Sequence, residues 1–437
     1  MMRNVRWWAV LVQVVFLAAG GVAAGPSQAA SEVTLSLWTG FPETEPFYKA
    51  AAADYAKTHP NVKVTILSTT LREHEQKLSA AVPTGTGPDI YDVGSNISAK
   101  FIDGGFLDPN PPNVDRYLKS GAWSPFVVNY MTINGKTYGL PLDDGSRASL
   151  FYNKTLFREA GIGQPPATFT ELMADARKLV KVDASGKMTR SGISLRLSGQ
   201  GSGITEKFRF ILEPAGGSLI VRTASGKWHN GFDNEAGRAT LQFYVDAVQK
   251  YHVDDPKIQH DADAFVAGNT AMLMREAWVI GEINDKNPKL DYGVVPIPKW
   301  KRSRMLLQPF GFYVNKTSAN KDVAWDFLQF LTSKENAIRL TTMTGWVSER
   351  QDVDWKPLLS KTPQFGVFVS PPKGIEFYQD PVIPVFDEIQ TKMATRLTAA
   401  YIDPALNGNP AKVADAIHQM AAEADELLKG AGVYGTQ

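Results

Sequence analysis

The sequence contains no cysteine among its 437 residues. Disulfide bonds, thiol catalysis and cysteine-ligated metal sites are therefore excluded. A chain of this length is too long for one ordinary domain and has enough residues for two. We expect it to be stabilised by hydrophobic cores alone.

Neither sign of charge dominates the chain. It has 46 lysines and arginines against 45 aspartates and glutamates, which gives a formal net charge of +1. Nucleic acids and anionic lipid surfaces attract proteins that carry a broad field of positive charge. The balance therefore favours a neutral partner, and we expect no nucleic-acid ligand.

Motifs typical of catalysis are also missing. The six histidines are scattered, no G-x-S-x-G segment occurs, and TGTGP is not followed by the GK[ST] of a phosphate loop. Asp143 and Asp144 are paired carboxylates, but neighbouring strand residues point to opposite faces and do not readily flank one glycosidic bond. The sequence therefore predicts a protein that is not an enzyme and needs no cofactor or metal.

Long apolar runs are absent except at the N-terminus. Two arginines precede an apolar run from Trp7 to Ala24, and small residues follow up to Ala29 and Ala30. A membrane anchor is the alternative, but the run is short and ends in small residues, which is typical of a cleaved signal peptide. We expect residues 1–30 to be removed near Ala29/Ala30. Without a cysteine to carry lipid, the mature chain is then a free periplasmic protein.

Strands and helices alternate along the first third of the chain. Val33–Trp38 and Val62–Leu67 have the β-branched, alternating pattern of strands, and the segment after Pro46 has helical spacing. A third short strand is predicted at Asp89–Val93. In the next region, Thr168 and Glu171 form a capping box at the start of a helix. The order predicts an α/β fold with mostly parallel sheets in both regions.

Two segments rich in proline, glycine and polar residues divide the chain, Leu140–Ser146 and Pro296–Pro309. If both are crossovers, each lobe is built from two separate parts of the sequence, with a cleft between the lobes. The predicted divisions are a signal peptide at 1–30, an N-terminal lobe at 31–143 and 300–340, and a C-terminal lobe at 144–299 and 341–437.

Tryptophan is plentiful. Ten tryptophans minus Trp7 and Trp8 of the leader leave eight. Any one of them is more often part of a core than of a ligand site. Several stand at predicted strand ends beside polar residues, however, and flat aromatic faces next to carboxylates, amides and arginine match the chemistry of sugar rings. The tryptophans that we assign to a groove are Trp38, Trp228, Trp278 and Trp346.

An ordered series of segments carries a resemblance to a known family. YNKTLFREAGI followed by PPATFTEL is its most specific part, and the series covers nearly all of the chain after residue 30. It resembles the extracytoplasmic solute-binding proteins of sugar ABC transporters, the family of maltose-binding protein. The other segments are LSLWTG, TGTGPDIYDV, GLPLDDGSRASLF, FVAGNTAMLMREAW, YGVVPIP, PFGFYVNKTSANKDVAWDFLQFL and GWVSER.

The resemblance implies two α/β lobes, each a mixed sheet flanked by helices, that close around a carbohydrate. It implies a monomer that docks on the membrane permease subunits of an ABC importer. GWVSER is similar to the family's G-x-x-P-x-R turn, with Ser348 at the proline position. The residues that the resemblance assigns to the ligand are Trp38, Thr39, Gly40, Ser95, Asn96, Asp143, Asp144, Arg147, Trp278, Gly311, Phe312, Trp346 and Arg350.

Two other functions stay open at this point. A polyol or a glycerol phosphate ester is one alternative ligand, because the guanidinium groups of Arg147 and Arg350 suit phosphate. An exported glycan-cleaving enzyme is an alternative of another class, because folding can bring two distant carboxylates to either side of a bond.

Overall fold

A computed structural model describes residues 31–144, 147–198, 201–259, 261–307 and 309–436. The predicted signal peptide at 1–30 lies outside these ranges, as do the side chains of Ser95, Asn96 and Asp144. No helix in the described ranges is both long and apolar enough to cross a membrane.

Sixteen strands occur in the described ranges. Their bounds are β1 Val33–Thr39, β2 Val62–Ser68, β3 Ile90–Val93, β4 Thr132–Ile133, β5 Lys136–Thr137, β6 Leu140–Asp144, β7 Ala148–Asn153, β8 Lys181–Val182, β9 Met188–Arg190, β10 Ser218–Arg222, β11 Trp228–Gly231, β12 Met272–Glu276, β13 Tyr292–Pro296, β14 Arg304–Leu306, β15 Pro309–Val314 and β16 Glu376–Tyr378.

Seventeen α-helices accompany them in the same ranges. Their bounds are α1 Glu45–Thr58, α2 Leu71–Thr84, α3 Ser95–Asp103, α4 Pro112–Leu118, α5 Pro125–Tyr130, α6 Lys154–Glu159, α7 Phe169–Leu179, α8 Gly203–Ala215, α9 Glu235–Val245, α10 Asp261–Val266, α11 Trp278–Lys286, α12 Lys321–Leu331, α13 Lys334–Thr344, α14 Lys356–Leu359, α15 Gly366–Val369, α16 Phe386–Ile402 and α17 Pro410–Gly430.

The first lobe is built on a five-stranded sheet of order β2–β1–β3–β15–β6. Strand β1 runs parallel to β2 and β3, as expected from the strand–helix–strand order. The prediction of a mostly parallel sheet is wrong for the other half, because β15 runs antiparallel to both β3 and β6. This sheet is therefore mixed, and β15 completes it from a distant part of the chain.

Helices cover the first sheet and bury one core. Its members come from two stretches of sequence, Leu35 to Leu142 and Phe312 to Trp346. Phe47, Ala51 and Tyr55 of α1 point into this core at the predicted four-residue spacing. Two separate stretches thus form one lobe, and the limits of the lobes along the chain stay a prediction.

The second lobe has a different sheet from the one expected. Strand β7 lies between β12 and β13 and is antiparallel to both, so the parallel arrangement predicted for this region is wrong. A separate pair, β14 and β16, is parallel. The core of this lobe surrounds α8, in which every residue except Glu206 is buried. A smaller cluster lies under β7, α10 and α11.

The predicted capping box at the start of α7 is confirmed. The backbone N–H of Glu171 donates to Thr168 Oγ1 at 3.2 Å, and the N–H of Thr168 donates to Glu171 Oε2 at 3.1 Å. Two backbone N–H groups that have no partner within the helix therefore find acceptors in neighbouring side chains of the same segment.

Helix α11 of the second lobe and the end of α13, which packs on α1, approach each other very closely. A Cβ on Gly281 would stand 2.5 Å from the carbonyl oxygen of Thr344. Gly345 has φ +80°, and a Cβ there would lie 2.9 Å from the backbone nitrogen of Gly281. Only glycine fits either position, since a side chain at one would meet backbone and at the other would also be strained.

The change Gly281→Ala tests this contact. We expect it to lower the free energy of unfolding by about 1–3 kcal/mol, because the new methyl group must push the backbone of Thr344 away. Denaturant unfolding measures the difference. Gly430→Ala is the matched control, since nothing lies within 4 Å of its added Cβ at the end of α17. Equal stability of Gly281→Ala and the wild type would contradict the close approach.

Candidate ligand-binding cleft

A cavity of about 420 Å³ lies between the two lobes. The first lobe contributes the loop after β1, the start of α2, and residues of β15 and of the turn after α13. The second lobe contributes the start of α8, the end of β12 and the start of α11. The principal side chains are Phe41, Glu43, Arg72, Phe310 and Trp346 on the first wall, and Arg196, Glu206, Arg275, Glu276 and Trp278 on the second.

Three rings form the aromatic part of the first wall. Trp346 is only 3% exposed, and its ring centroid lies 4.5 Å from that of Phe41 and 5.7 Å from that of Phe310. The cluster is a rigid apolar surface at the cavity, of the kind that suits the C–H face of a sugar ring.

The segment GWVSER separates its two large side chains. Trp346 lines the cavity, whereas Arg350 points away from it and donates to both carboxyl oxygens of Asp352 at 2.9 and 2.8 Å. Arg350 also donates to Tyr117 Oη and to the carbonyl of Thr332, each at 3.0 Å. Arg350, predicted to contact the ligand, therefore fastens this turn to α4 and α12.

Trp278 stands on the second wall and is held from two sides. Its Nε1 donates to Glu276 Oε2 at 3.0 Å, and the guanidinium of Arg275 lies 4.8 Å from the ring centroid. Arg275 is paired with Glu276 at 3.0 Å and with Asp261 at 3.3 Å. Burial alone would lower the pKa of Arg275, but these carboxylates outweigh it and raise that pKa. The ring is thus fixed before any ligand arrives.

Two carboxyl groups of the cavity have opposite pKa shifts. Burial alone would raise the pKa of Glu206, but the ammonium group of Lys207 at 2.7 Å outweighs it, and the pKa falls to about 2. Glu43 reaches the water of the cleft, yet the surrounding walls still desolvate its carboxyl and raise its pKa. Glu206 is therefore an ionised acceptor at neutral pH.

Arg72 connects the lobes across the cleft. Its Nη2 donates to Ser202 Oγ at 2.7 Å, just before α8, while its Nη1 is paired with Glu75 of α2 at 2.5 Å. Asp387 of α16 lies 3.9 Å from the same guanidinium. The hydrogen bond from Arg72 to Ser202 exists only while the lobes are together.

The loop after β1 contributes to the cavity through Gly40 and the residues that follow. The N–H of Gly40 donates to Asp92 Oδ1 at 3.2 Å, and Thr39 Oγ1 accepts from the N–H of Phe41 at 3.1 Å. Thr39 is buried and Trp38 packs against the first core. The predicted residues Trp38 and Thr39 thus support the loop, while Gly40 reaches the cleft.

Asp143 and Arg147, two of the predicted residues near the first crossover, support the fold in this conformation. Asp143 is fully buried on β6. Arg147 donates to both carboxyl oxygens of Glu349 at 3.0 Å and lies outside the cavity. Ser95 and Asn96 begin α3 and Asp144 ends β6, but their side chains are outside the described part of the structure.

Two predicted aromatic residues lie elsewhere. Phe312 is fully buried in the first core, whereas Phe310 of the same strand lines the cavity. A bulge between Phe310 and Gly311 breaks the register with β6, which alternation along β15 did not predict. Trp228 lines a separate groove of about 550 Å³ with Arg222 and Tyr378. Of the predicted residues whose side chains are described, the structure brings Gly40, Trp278 and Trp346 together at the cavity.

Several lining residues were missed from the sequence. Arg275 and Glu276 stand three and two residues before Trp278 in MREAW, and that proximity in sequence was a usable signal. Phe41 had a similar signal, since it directly follows Gly40. Glu206 and Arg196 had none, because only the fold brings their segments to the cavity. Within the described ranges no group of three histidine, aspartate or glutamate side chains is arranged to hold a metal ion.

The chain was compared with protein families and with known proteins. The model of the family "bacterial extracellular solute-binding protein" matches residues 40–338. The chain belongs to this family. A Brucella abortus relative, named as a binding protein, is 23% identical over 418 residues, which cover 93% of this chain and 96% of that protein. The lactose-binding protein of Rhizobium radiobacter is 24% identical, with 70% of this chain and 71% of that protein covered.

A solved structure extends the comparison to the fold. The solute-binding protein of Thermotoga lettingae with bound α-D-tagatose matches with a TM-score of 0.78 at 23% identity, covering 91% of this chain and all of that one. The likeness confirms the predicted α/β fold of two lobes with a cleft between them. The cavity described above lies between the two lobes of this chain.

Because Arg350 bonds to the protein itself, its replacement is expected to lower the stability of the fold. Arg350→Lys keeps the charge but loses the guanidinium fork, so we expect the free energy of unfolding to fall by about 1–3 kcal/mol. Arg396→Lys is the matched control, because Arg396 pairs with Glu423 on the exposed surface, where ion pairs contribute little. Denaturant unfolding of both variants checks the difference, and equal small losses would contradict the structural role of Arg350.

Proposed function

We propose that this solute-binding protein captures a carbohydrate and delivers it to the membrane permease of an ABC importer. The observation that carries the proposal is a single cavity whose two walls belong to different lobes and combine aromatic faces with paired charges. Such a cavity is complete only when the lobes are closed. Ligand and closure then favour each other.

The charges of the cavity favour a neutral, hydroxyl-rich ligand. Three guanidinium groups and three carboxyl groups line it, so their formal charges cancel. These groups offer both donors and acceptors, which a sugar hydroxyl can use because it donates one hydrogen bond and accepts others. Trp278 and the cluster around Trp346 provide the apolar faces. The six groups are Arg72, Arg196, Arg275, Glu43, Glu206 and Glu276.

Relatives support a sugar ligand. One is named for lactose, and a protein of the same fold was crystallised with α-D-tagatose. The proposal names the ligand as a class, a mono- or oligosaccharide.

A ligand closes the lobes only if it binds the closed state more tightly than the open state. Moving a lobe equilibrium from 1:99 to 99:1 takes roughly 5.5 kcal/mol of differential binding. Contacts from Trp278 and its neighbours, made together with those of the first wall, are the source that we propose. The bond from Arg72 to Ser202 adds to the closed state once the lobes meet.

The remaining parts of the proposal concern the cellular setting. The protein is exported to the periplasm, cut near Ala29/Ala30, free of a lipid anchor and monomeric. It binds no nucleic acid, needs no cofactor and does not turn its ligand over. The absence of cysteine supports the lack of a lipid anchor, and the near-neutral charge supports the lack of a nucleic-acid ligand.

Of the alternatives, the phosphate ester loses its original support. Arg147 and Arg350 are both engaged with carboxylates of the protein. The glycan-cleaving enzyme has one observation in its favour, since Glu43 with its raised pKa and the ionised Glu206 lie on opposite walls. The experiment below therefore includes a search for cleavage products.

The proposal predicts sugar binding without turnover. Purified mature protein is screened by thermal shift with lactose, maltotriose, mannotriose, D-tagatose, sorbitol and glycerol 3-phosphate. We expect at least one sugar to bind with Kd near the micromolar range, about −8 kcal/mol. At 100 times Kd it stabilises the fold by roughly 2.7 kcal/mol, which raises the Tm.

Two controls accompany the screen. Trp278→Ala removes the ring on the second wall and should weaken binding by about 2 kcal/mol or more. Chromatography of the incubated oligosaccharides detects hydrolysis. No Tm increase with any sugar, or the appearance of cleavage products, would overturn the proposed function.

A further inference from the structure

The backbone at Arg196 has an unusual conformation. Its φ is +54°, in the left-handed region that side-chain-bearing residues rarely adopt. Neighbouring bonds hold it there, because the N–H of Ser194 donates to the carbonyl of Met272 at 3.0 Å and the N–H of Leu195 donates to Asp254 Oδ2 at 2.7 Å. Strained backbone of this kind is frequent at ligand sites.

The start of α8 leaves room for the guanidinium of Arg196. A Cβ on Gly203 would stand 2.8 Å from Arg196 Cζ, so the group lies directly against the glycine backbone. Gly203, Arg196 and Glu206 all line the same cavity. The conformation and the glycine together direct this side chain to the wall of the cleft.

In this position the guanidinium makes no hydrogen bond to any residue that the structure describes. Its closest carboxylate contact is Asp261 Oδ2 at 3.8 Å, an oxygen that lies 3.3 Å from Arg275 Nε. The side chain is nevertheless only 20% exposed. By contrast, Arg72 donates short hydrogen bonds to Glu75 and Ser202, and Arg350 to Asp352, Tyr117 and Thr332.

A guanidinium carries five N–H donors, and buried donors in proteins nearly always find acceptors. The exposed fraction faces the cavity, where a ligand would meet it. We propose that Arg196 contacts the ligand and helps to determine its specificity by donating its forked N–H groups to two adjacent hydroxyl oxygens of the sugar. The inference rests on the proposed function and adds a residue and a contact to it.

The surroundings favour hydroxyl oxygens over an anionic group. Asp261, Glu206 and Glu276 face Arg196, and Arg275 is the other nearby cation. A carboxylate or phosphate would approach three acidic side chains as well as the two guanidinium groups. A neutral diol accepts from Arg196 without meeting that repulsion.

The test compares Arg196→Gly and Arg196→Lys with the wild type by calorimetric titration. The probe is whichever of lactose, maltotriose, mannotriose and D-tagatose binds the wild type most tightly. We expect Kd to rise more than about tenfold in both variants, because neither retains the fork. We expect the Tm of ligand-free Arg196→Gly to equal or exceed that of the wild type, because glycine adopts positive φ without strain.

His252→Gly is the matched control. His252 also has positive φ, +48°, but it lies outside the cavity. Its change to glycine should leave Kd unaltered. Monodeoxy derivatives of the same sugar provide the specificity readout: removing a hydroxyl that Arg196 contacts should weaken binding to the wild type and have little effect on binding to Arg196→Gly.

The outcomes separate the two proposals. A wild type that binds a sugar while both Arg196 variants bind it within twofold overturns the role of Arg196 alone. A lower Tm of ligand-free Arg196→Gly with unchanged Kd assigns the residue to the fold and also overturns it. Glycerol 3-phosphate binding more tightly than every sugar, with loss in Arg196→Gly, overturns the hydroxyl assignment. A wild type that binds none of the sugars overturns both proposals.

Discussion

The close approach of α11 and the end of α13 is the constraint on which the cleft depends. Gly281 and Gly345 leave no space for side chains between the two segments. Trp278 begins one segment and Trp346 follows the other, so this contact places two aromatic residues from different lobes at one cavity. The left-handed turn at Gly345 then directs Trp346 inward, while Arg350 reaches back to α4 and α12. A single contact between backbones thus sets the width and the aromatic content of the site.

The charged groups of the cleft are also held in place before a ligand binds. Lys207 and Arg275 both pair with Glu276 beside Trp278, and each has a second carboxylate partner, Glu206 and Asp261 respectively. Arg72 is occupied by Glu75 and Ser202. Because these groups are already paired, binding a sugar does not require them to reorganise, which reduces the entropic cost of binding. Arg196 is different, since its donors are not used within the protein. A site with fixed rings, paired charges and the available donors of Arg196 is prepared for a neutral ligand with several oxygens.

The local pattern of the sequence predicted much of the fold but less of the site. The strand at Val33–Thr39, the capping box at Thr168 and the helix after Pro46 follow from alternation, caps and spacing. Helix α8 was not predicted, because its charged residues Lys207, Arg209 and Glu213 conceal that it is buried on all sides. The antiparallel direction of β15 and the inward turn of Phe310 depend on chain crossovers and a bulge, which no local pattern records. Arg196 joins the cavity only through tertiary contacts.

Lobe closure around a neutral sugar is the central claim, and solution X-ray scattering tests it most directly. The mature wild-type protein is measured alone and with a saturating concentration of the sugar that raises its Tm most. A ligand that contacts both walls stabilises the closed state, so the account predicts a smaller radius of gyration in the bound sample. Scattering curves that superimpose with and without bound sugar would contradict closure and leave a rigid pocket in its place.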